Sequence, residues 1–314
     1  MSIVAASVPS HWMSCWLPLL LAALMIWSAP LGASGSPGAD EDAAFSPGPH
    51  ALHSSRYLAT RGARDSLQIT AHFRSFDNHL QRLAFNLPDE ALRDSQREYG
   101  LVKAELDSVM SQCQRKAGCN DQEFERRVLA YYHGRGLRLG FDEQQRKRLL
   151  VDVPTAVSRN RLRIKPLAQA LQRLAAEQQR DQQWALEAAI ALVQSGLDYK
   201  QPGTWDQGRK IIGFLPPPQA LERGFGDCDT KSALLAAILQ NLSDAPLIGV
   251  HVPQHYLIGI AATPRAGQVA LQHGGRSYVL IEAAGPARRP PGEVSDVTIE
   301  ALAKGVGIRI DPII

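Results

Sequence analysis

Three residues in the last third of the chain have types and surroundings suited to nucleophilic catalysis: Cys228, His255 and Glu282. Cys228 lies in "GFGDCDTKSALLAAILQNL", where Leu234, Leu235, Ile238, Leu239 and Leu242 recur at helical spacing with Ala between them. The pattern predicts a buried helix with Asp227 as its N-cap and Cys228 in its first turn. Unpaired amides and the positive end of the helix dipole stabilise a thiolate there, and the same amides can hold an oxyanion. Gly224 and Gly226 let the chain turn sharply in front of the sulfur. A nucleophilic cysteine needs a base, and the base needs an acceptor to orient it. "QHYLIGIAA" puts His255 at the start of a strand, and "RSYVLIEAAGP" puts Glu282 at the end of a later one. If the two strands pair antiparallel, His255 and Glu282 meet at one end of the sheet. That requires "GQVALQHGG" (267–275) to be an excursion or an edge hairpin and not a strand between them.

Other arrangements of these side chains stand beside this one. His251 shares strand parity with His255, but Pro253 interrupts the strand between them and favours His255 as the base. Cys228, His251 and His255 also have the types of a zinc site, without the short-spaced cysteine pair that usually accompanies one. Trp205 and Gln219 precede the cysteine, a place from which folds of similar layout draw substrate-wall or oxyanion groups; packing is the plainer reading of both. The chain has no P-loop, no G-x-G-x-x-G following a strand and no H-E-x-x-H, and it calls for no cofactor or metal.

The elements that must position these residues fall into two parts with a soft boundary near residue 160. "DSLQITAHFRSF" (65–76) alternates as a strand, and 88–113 reads as a helix with Pro88 at its first turn. A further helix is expected over 124–136, and one or two from Pro166 to about Gly196. A Pro/Gly-rich loop then leads to the Cys228 helix and two β-rich runs. The expected fold class is α+β: a mainly helical region over 51–160, then a domain over 161–314 in which the Cys228 helix packs on an antiparallel sheet.

The first 35 residues concern location. An apolar run from Cys15 to Trp27 passes into small residues, with Gly32-Ala33-Ser34 as a cleavage site. It reads as a signal peptide, or, extended over 13–33, as a membrane anchor, followed by a disordered linker over 36–50. Either places the rest of the chain outside the cytoplasm, periplasmic or secreted. Cys113 and Cys119 suit a small disulfide loop there, with two unpaired thiols as the other reading. Pairing would leave Cys228 as the odd thiol. With 34 basic and 31 acidic residues, the balance gives no electrostatic case for a nucleic-acid partner. The densest basic stretch, 144–166, is interleaved with Leu149, Leu150, Val151 and Val153 and reads as a solvated face.

The segments "GFGDCDTKSALLAAIL", "HYLIGIA" and "YVLIEAAGP", in that order and spacing, resemble the transglutaminase-like cysteine peptidase superfamily, with its papain-like fold. The resemblance covers roughly residues 185–290. It implies Cys228 as nucleophile, His255 as general base and acid, and Glu282 as the orienting acceptor, a place more often held by Asp. It further implies a peptide or protein amide as substrate and a thioester intermediate, without the calcium sites of animal transglutaminases. The alternative is a binding or assembly module that keeps the fold without the catalysis.

Overall fold

Alternation of buried Leu67, Ile69, Ala71 and Phe73 with polar neighbours makes a strand with one wet face, and the next run does the same with Leu83, Phe85 and Leu87. The computed structural model describes residues 56–62, 65–115, 118–141 and 146–313. In it these runs are β2 (Ser66–Arg74) and β3 (Leu80–Pro88), which join β1 (Tyr57–Arg61) in an antiparallel sheet ordered β1-β2-β3. The signal or anchor (1–35) and the linker (36–50) lie outside the described residues. Among those residues no helix is long and apolar enough to cross a membrane.

The helix expected over 88–113 is two: α1 (Asp89–Arg97) and α2 (Lys103–Gln114). The break falls at Gly100, whose φ of 82° lies in the left-handed region and whose missing Cβ lets Lys210 O approach. After α3 (Asp121–Gly134) comes a hairpin, β4 (Leu137–Phe141) and β5 (Lys147–Val151), and then α4 (Val153–Asn160). The region before residue 160 is therefore not mainly helical: it mixes five strands with four helices among the described residues. The strands leave little signal in the sequence where they are short, or where alternation involves Gln, Arg and Asn, as in β3. Cys113 and Cys119 form a disulfide between α2 and the start of α3.

The packing shows no break at the boundary expected near residue 160. One buried core runs from Leu67, Phe73 and Leu87 in the first sheet through Leu167 and Leu171 to Leu234 and Ile238. Those central positions belong to α5 (Lys165–Glu177), which lies against β3; the next helix, α6 (Gln182–Ser195), lies against β2. Asp181 caps α6 by accepting from the Trp184 amide at 2.9 Å.

The remaining elements build the site. β6 (Asp198–Tyr199) is followed by a small hairpin, β7 (Trp205–Asp206) and β8 (Arg209–Lys210), then α7 (Pro217–Arg223) and β9 (Phe225–Gly226). α8 (Cys228–Leu242) is buried continuously from Thr230 to Leu239. Burying each of its Leu and Ile side chains contributes ~1.5–3 kcal/mol, enough to fix the helix in place. It packs on the second sheet, made of β10 (Leu247–Val252), β11 (His255–Ala261), β12 (Ala270–His273), β13 (Arg276–Ile281) and β14 (Arg309–Ile313), with α9 (Asp296–Lys304) before the last strand. All pairs are antiparallel, in the order β12-β13-β11-β10-β14. The chain is thus a mixed α and β fold with a helix on an antiparallel sheet.

Candidate active site

The start of α8 is built as its residues dictate. Gly224, at φ 71°, ends α7 in the left-handed region. A Cβ on Gly226 would lie 2.3 Å from Thr230 Cγ2, so only glycine lets the chain pass this close to the helix. Asp227 then caps α8, its carboxylate accepting from the Thr230 amide at 3.1 Å, and Cys228 is the first helical residue. One turn on, Ser232 Oγ donates to Tyr256 O at 3.0 Å and fastens the helix to the start of β11. The Tyr256 amide lies near enough to the Cys228 sulfur to favour its thiolate. The cysteine therefore sits against the residue that follows His255.

The β10–β11 turn, with Gln254 at φ 60°, places His255 opposite Val252 as the first residue of β11. β13 pairs directly with β11, with Ile281 opposite Ile258, so Glu282 emerges at the end where β11 begins. The 267–275 segment contributes β12, which lies on the outer edge of β13, so nothing intervenes between the two strands. His255 Nε2 and Glu282 Oε2 are 2.8 Å apart. The other carboxylate oxygen accepts from the Ser295 amide at 3.2 Å and from Thr298 Oγ1 at 2.9 Å, both at the start of α9. His251 stands in β10 opposite Tyr256 and is not the residue that meets Glu282.

Two fully buried polar side chains hold the Glu282 segment from below. Gln194 Nε2 donates to Glu282 O at 2.7 Å and to Arg289 O at 2.9 Å, while its Oε1 accepts from the Arg289 amide at 3.0 Å. Lys231 Nζ donates to Ala284 O at 2.8 Å and to Leu197 O at 3.1 Å. Neither residue is exposed at all. Lys231 reads in the sequence as part of a polar setting around the cysteine; the structure buries it, its charge answered by main-chain carbonyls. Gln194 gives no signal, because its partners lie more than eighty residues away.

The electrostatics of the two halves differ. Burial raises the Glu282 carboxyl, but the His255 ring, the Ser295 amide and the Thr298 hydroxyl overturn that and hold it at about 2. At Cys228 the expectation of a lowered pKa does not hold. Burial pushes the thiol well above its usual range, and the carboxylates of Asp229 and Asp227 push it further. The helix amides and the Tyr256 amide work against them without prevailing. Cys228 Sγ donates to Asp229 Oδ1 at 3.5 Å, which favours the protonated thiol. Asp229 is itself raised to about 6, by burial first and by Asp227 second. Burial lowers Lys231 to about 7.

A cleft of about 830 Å³ opens beside the pair, with His255, Glu282 and Tyr199 in its walls together with parts of α9. Cys228 is half-buried and does not line it. Tyr199 comes to the site because β6 pairs with β9, Tyr199 opposite Gly226. Its phenol is raised by burial and by the charges of Cys228, Asp227, Asp229 and Glu282. The two candidate wall residues from the sequence lie elsewhere. Trp205 is 57% exposed on the β7–β8 hairpin. Gln219 is buried, accepting from Ser95 Oγ and donating to Leu92 O at 2.8 Å each, so it ties α7 to α1. No cluster of three His, Cys, Asp or Glu among the described residues is placed to hold a metal ion, so the Cys228/His251/His255 zinc arrangement has no geometry behind it. No family model, no curated protein and no solved structure matches the chain.

Proposed function

We propose that the chain is a transglutaminase-like cysteine hydrolase or acyltransferase with a papain-like core, acting outside the cytoplasm on a peptide or protein amide. The observation that carries this reading is the His255–Glu282 pair at 2.8 Å, beside a cleft, with His255 opening the strand to which Ser232 of α8 is fastened. Because Nε2 faces the carboxylate, Nδ1 is the nitrogen left to take the Cys228 proton. The thiolate attacks the carbonyl carbon, and first-turn amides of α8 receive the oxyanion. The imidazolium returns its proton to the departing amine, leaving a thioester on Cys228. Water then releases an acid, or a second amine captures the acyl group. The Cys113–Cys119 disulfide supports an oxidising compartment, periplasmic or secreted.

One observation favours a second reading, the non-catalytic module. The resting thiol is pushed up and lies outside the cleft walls. The two readings separate when a mixed peptide library is incubated with the wild type and with Cys228→Ala. The catalytic reading expects new carboxylates, or ammonia release with amine incorporation, by mass spectrometry only with the wild type. Identical product patterns for the two proteins would reject it.

A further inference from the structure

The charges around the cleft are matched with one exception. Glu282 is bonded to His255, and Glu300 is bonded to Lys304 at 2.7 Å within α9. Arg289 also lines the cleft, and among the described residues its guanidinium has no hydrogen-bond or ion-pair partner. The neighbouring Arg288 shows the contrast: its guanidinium donates to Ser75 O at 2.6 Å and to Asn78 Oδ1 at 3.2 Å, a purely structural use. The backbone of Arg289 is nevertheless fixed. The buried Gln194 amide bonds both its N–H and its C=O, and bonds Glu282 O as well. One side chain therefore sets the register between the orienting acid and this arginine. The rest of the wall is largely apolar, with Val252, Pro253, Val297, Ala301 and Val306.

We propose that Arg289 is a specificity residue that binds a carboxylate on the substrate, so that the preferred substrate is an acidic polypeptide segment flanked by apolar residues. A planar, permanently charged fork held half out of water suits a bidentate carboxylate and gains more there than on an open surface. The carboxylate is either an acidic side chain or a free C-terminus. This proposal rests on the reading of the cleft as a polypeptide site, and its test does not use the thiol.

The test measures fluorescence anisotropy of hexapeptides carrying an uncharged BODIPY label on the full chain with Cys228→Ala, at low ionic strength. Three peptides share apolar flanks: one with a central Glu and an amidated end, one with Gln and a free C-terminus, one with Gln and an amidated end. At least one carboxylate-bearing peptide is expected to bind about tenfold tighter than the neutral one, as for one charge-assisted bidentate contact. Which one does so identifies the source of the carboxylate. The preference should vanish in Arg289→Gln and survive in part in Arg289→Lys, with unchanged thermal melts. Equal affinities for all three peptides, or a preference that persists in Arg289→Gln, would overturn the proposal. Failure of the catalytic reading shows instead in the product analysis with wild type and Cys228→Ala, where recognition of a carboxylate plays no part.

Discussion

The two halves of the candidate site are built on opposite principles. At the His255–Glu282 half, a ring nitrogen, a backbone amide and a hydroxyl converge on one buried carboxylate, and a buried amide holds its main chain. Every group there favours the charged acid and a fixed imidazole. At the Cys228 half, one strand amide supports the sulfur while burial and two carboxylates oppose its ionisation. The His255–Glu282 pair is assembled in advance, whereas Cys228 is kept as a thiol. On the proposed catalytic reading, activation comes from whatever removes the Asp229 charge or draws the thiol proton to His255.

This contrast can be broken most sharply at Glu282. Replacement by Ala leaves His255, Ser295 N and Thr298 Oγ1 without their acceptor and should cost ~3–5 kcal/mol in urea unfolding, the scale for removing one partner of a buried pair. Gln194→Ala strands the Glu282 and Arg289 carbonyls and the Arg289 amide, and a loss of ~2–3 kcal/mol is expected by the same measurement. Asp229→Asn acts on the other half: it removes the largest charge opposing the thiolate and should raise Cys228 alkylation at pH 7 about tenfold, a shift of one pKa unit. Mass-spectrometric labelling rates check it, and an unchanged rate would remove Asp229 from the account. Cys228→Ala should be the mildest change, under ~1.5 kcal/mol, because the side chain is small and gives up only a long contact with Asp229 Oδ1 at 3.5 Å.

The same contrast has a pH signature. The folded pKa of Glu282 is lowered from 4.5 to about 2, so its contribution to stability is present above 4.5 and is lost as pH falls towards 2. Asp229 is raised from 3.8 to about 6, so its ionisation costs stability above 6 and nothing below 3.8. Unfolding titrations of Asp229→Asn should therefore be flatter than the wild type between pH 4 and 6. Loss of stability on acidification should stay with the Glu282-bearing proteins.

Much of the positioning was legible in local sequence. Asp227, the Leu/Ala periodicity of α8, and His255 and Glu282 at the strand ends are short-range signals; the structure caps α8 at Asp227 and brings His255 and Glu282 into contact. The edge position of β12 was a stated requirement, and the β11–β13 pairing meets it. What stayed hidden depends on contacts distant in sequence. Lys231 and Gln194 take their roles from carbonyls dozens of residues away. Tyr199 reaches the cleft only because a two-residue strand pairs beside Gly226. Helix position speaks for ionisation of the thiol, while burial and the orientation of Asp229, which oppose it, belong to tertiary structure.

The central claim is that Cys228, His255 and Glu282 work as one unit, and iodoacetamide labelling of Cys228 across pH 5–10 in the wild type and in His255→Ala tests it most directly. The account predicts labelling that is slow in absolute terms at neutral pH, yet about tenfold faster in the wild type than in the variant below the free-thiol pKa of about 8.5. Superimposable profiles, each following an isolated thiol, would contradict it.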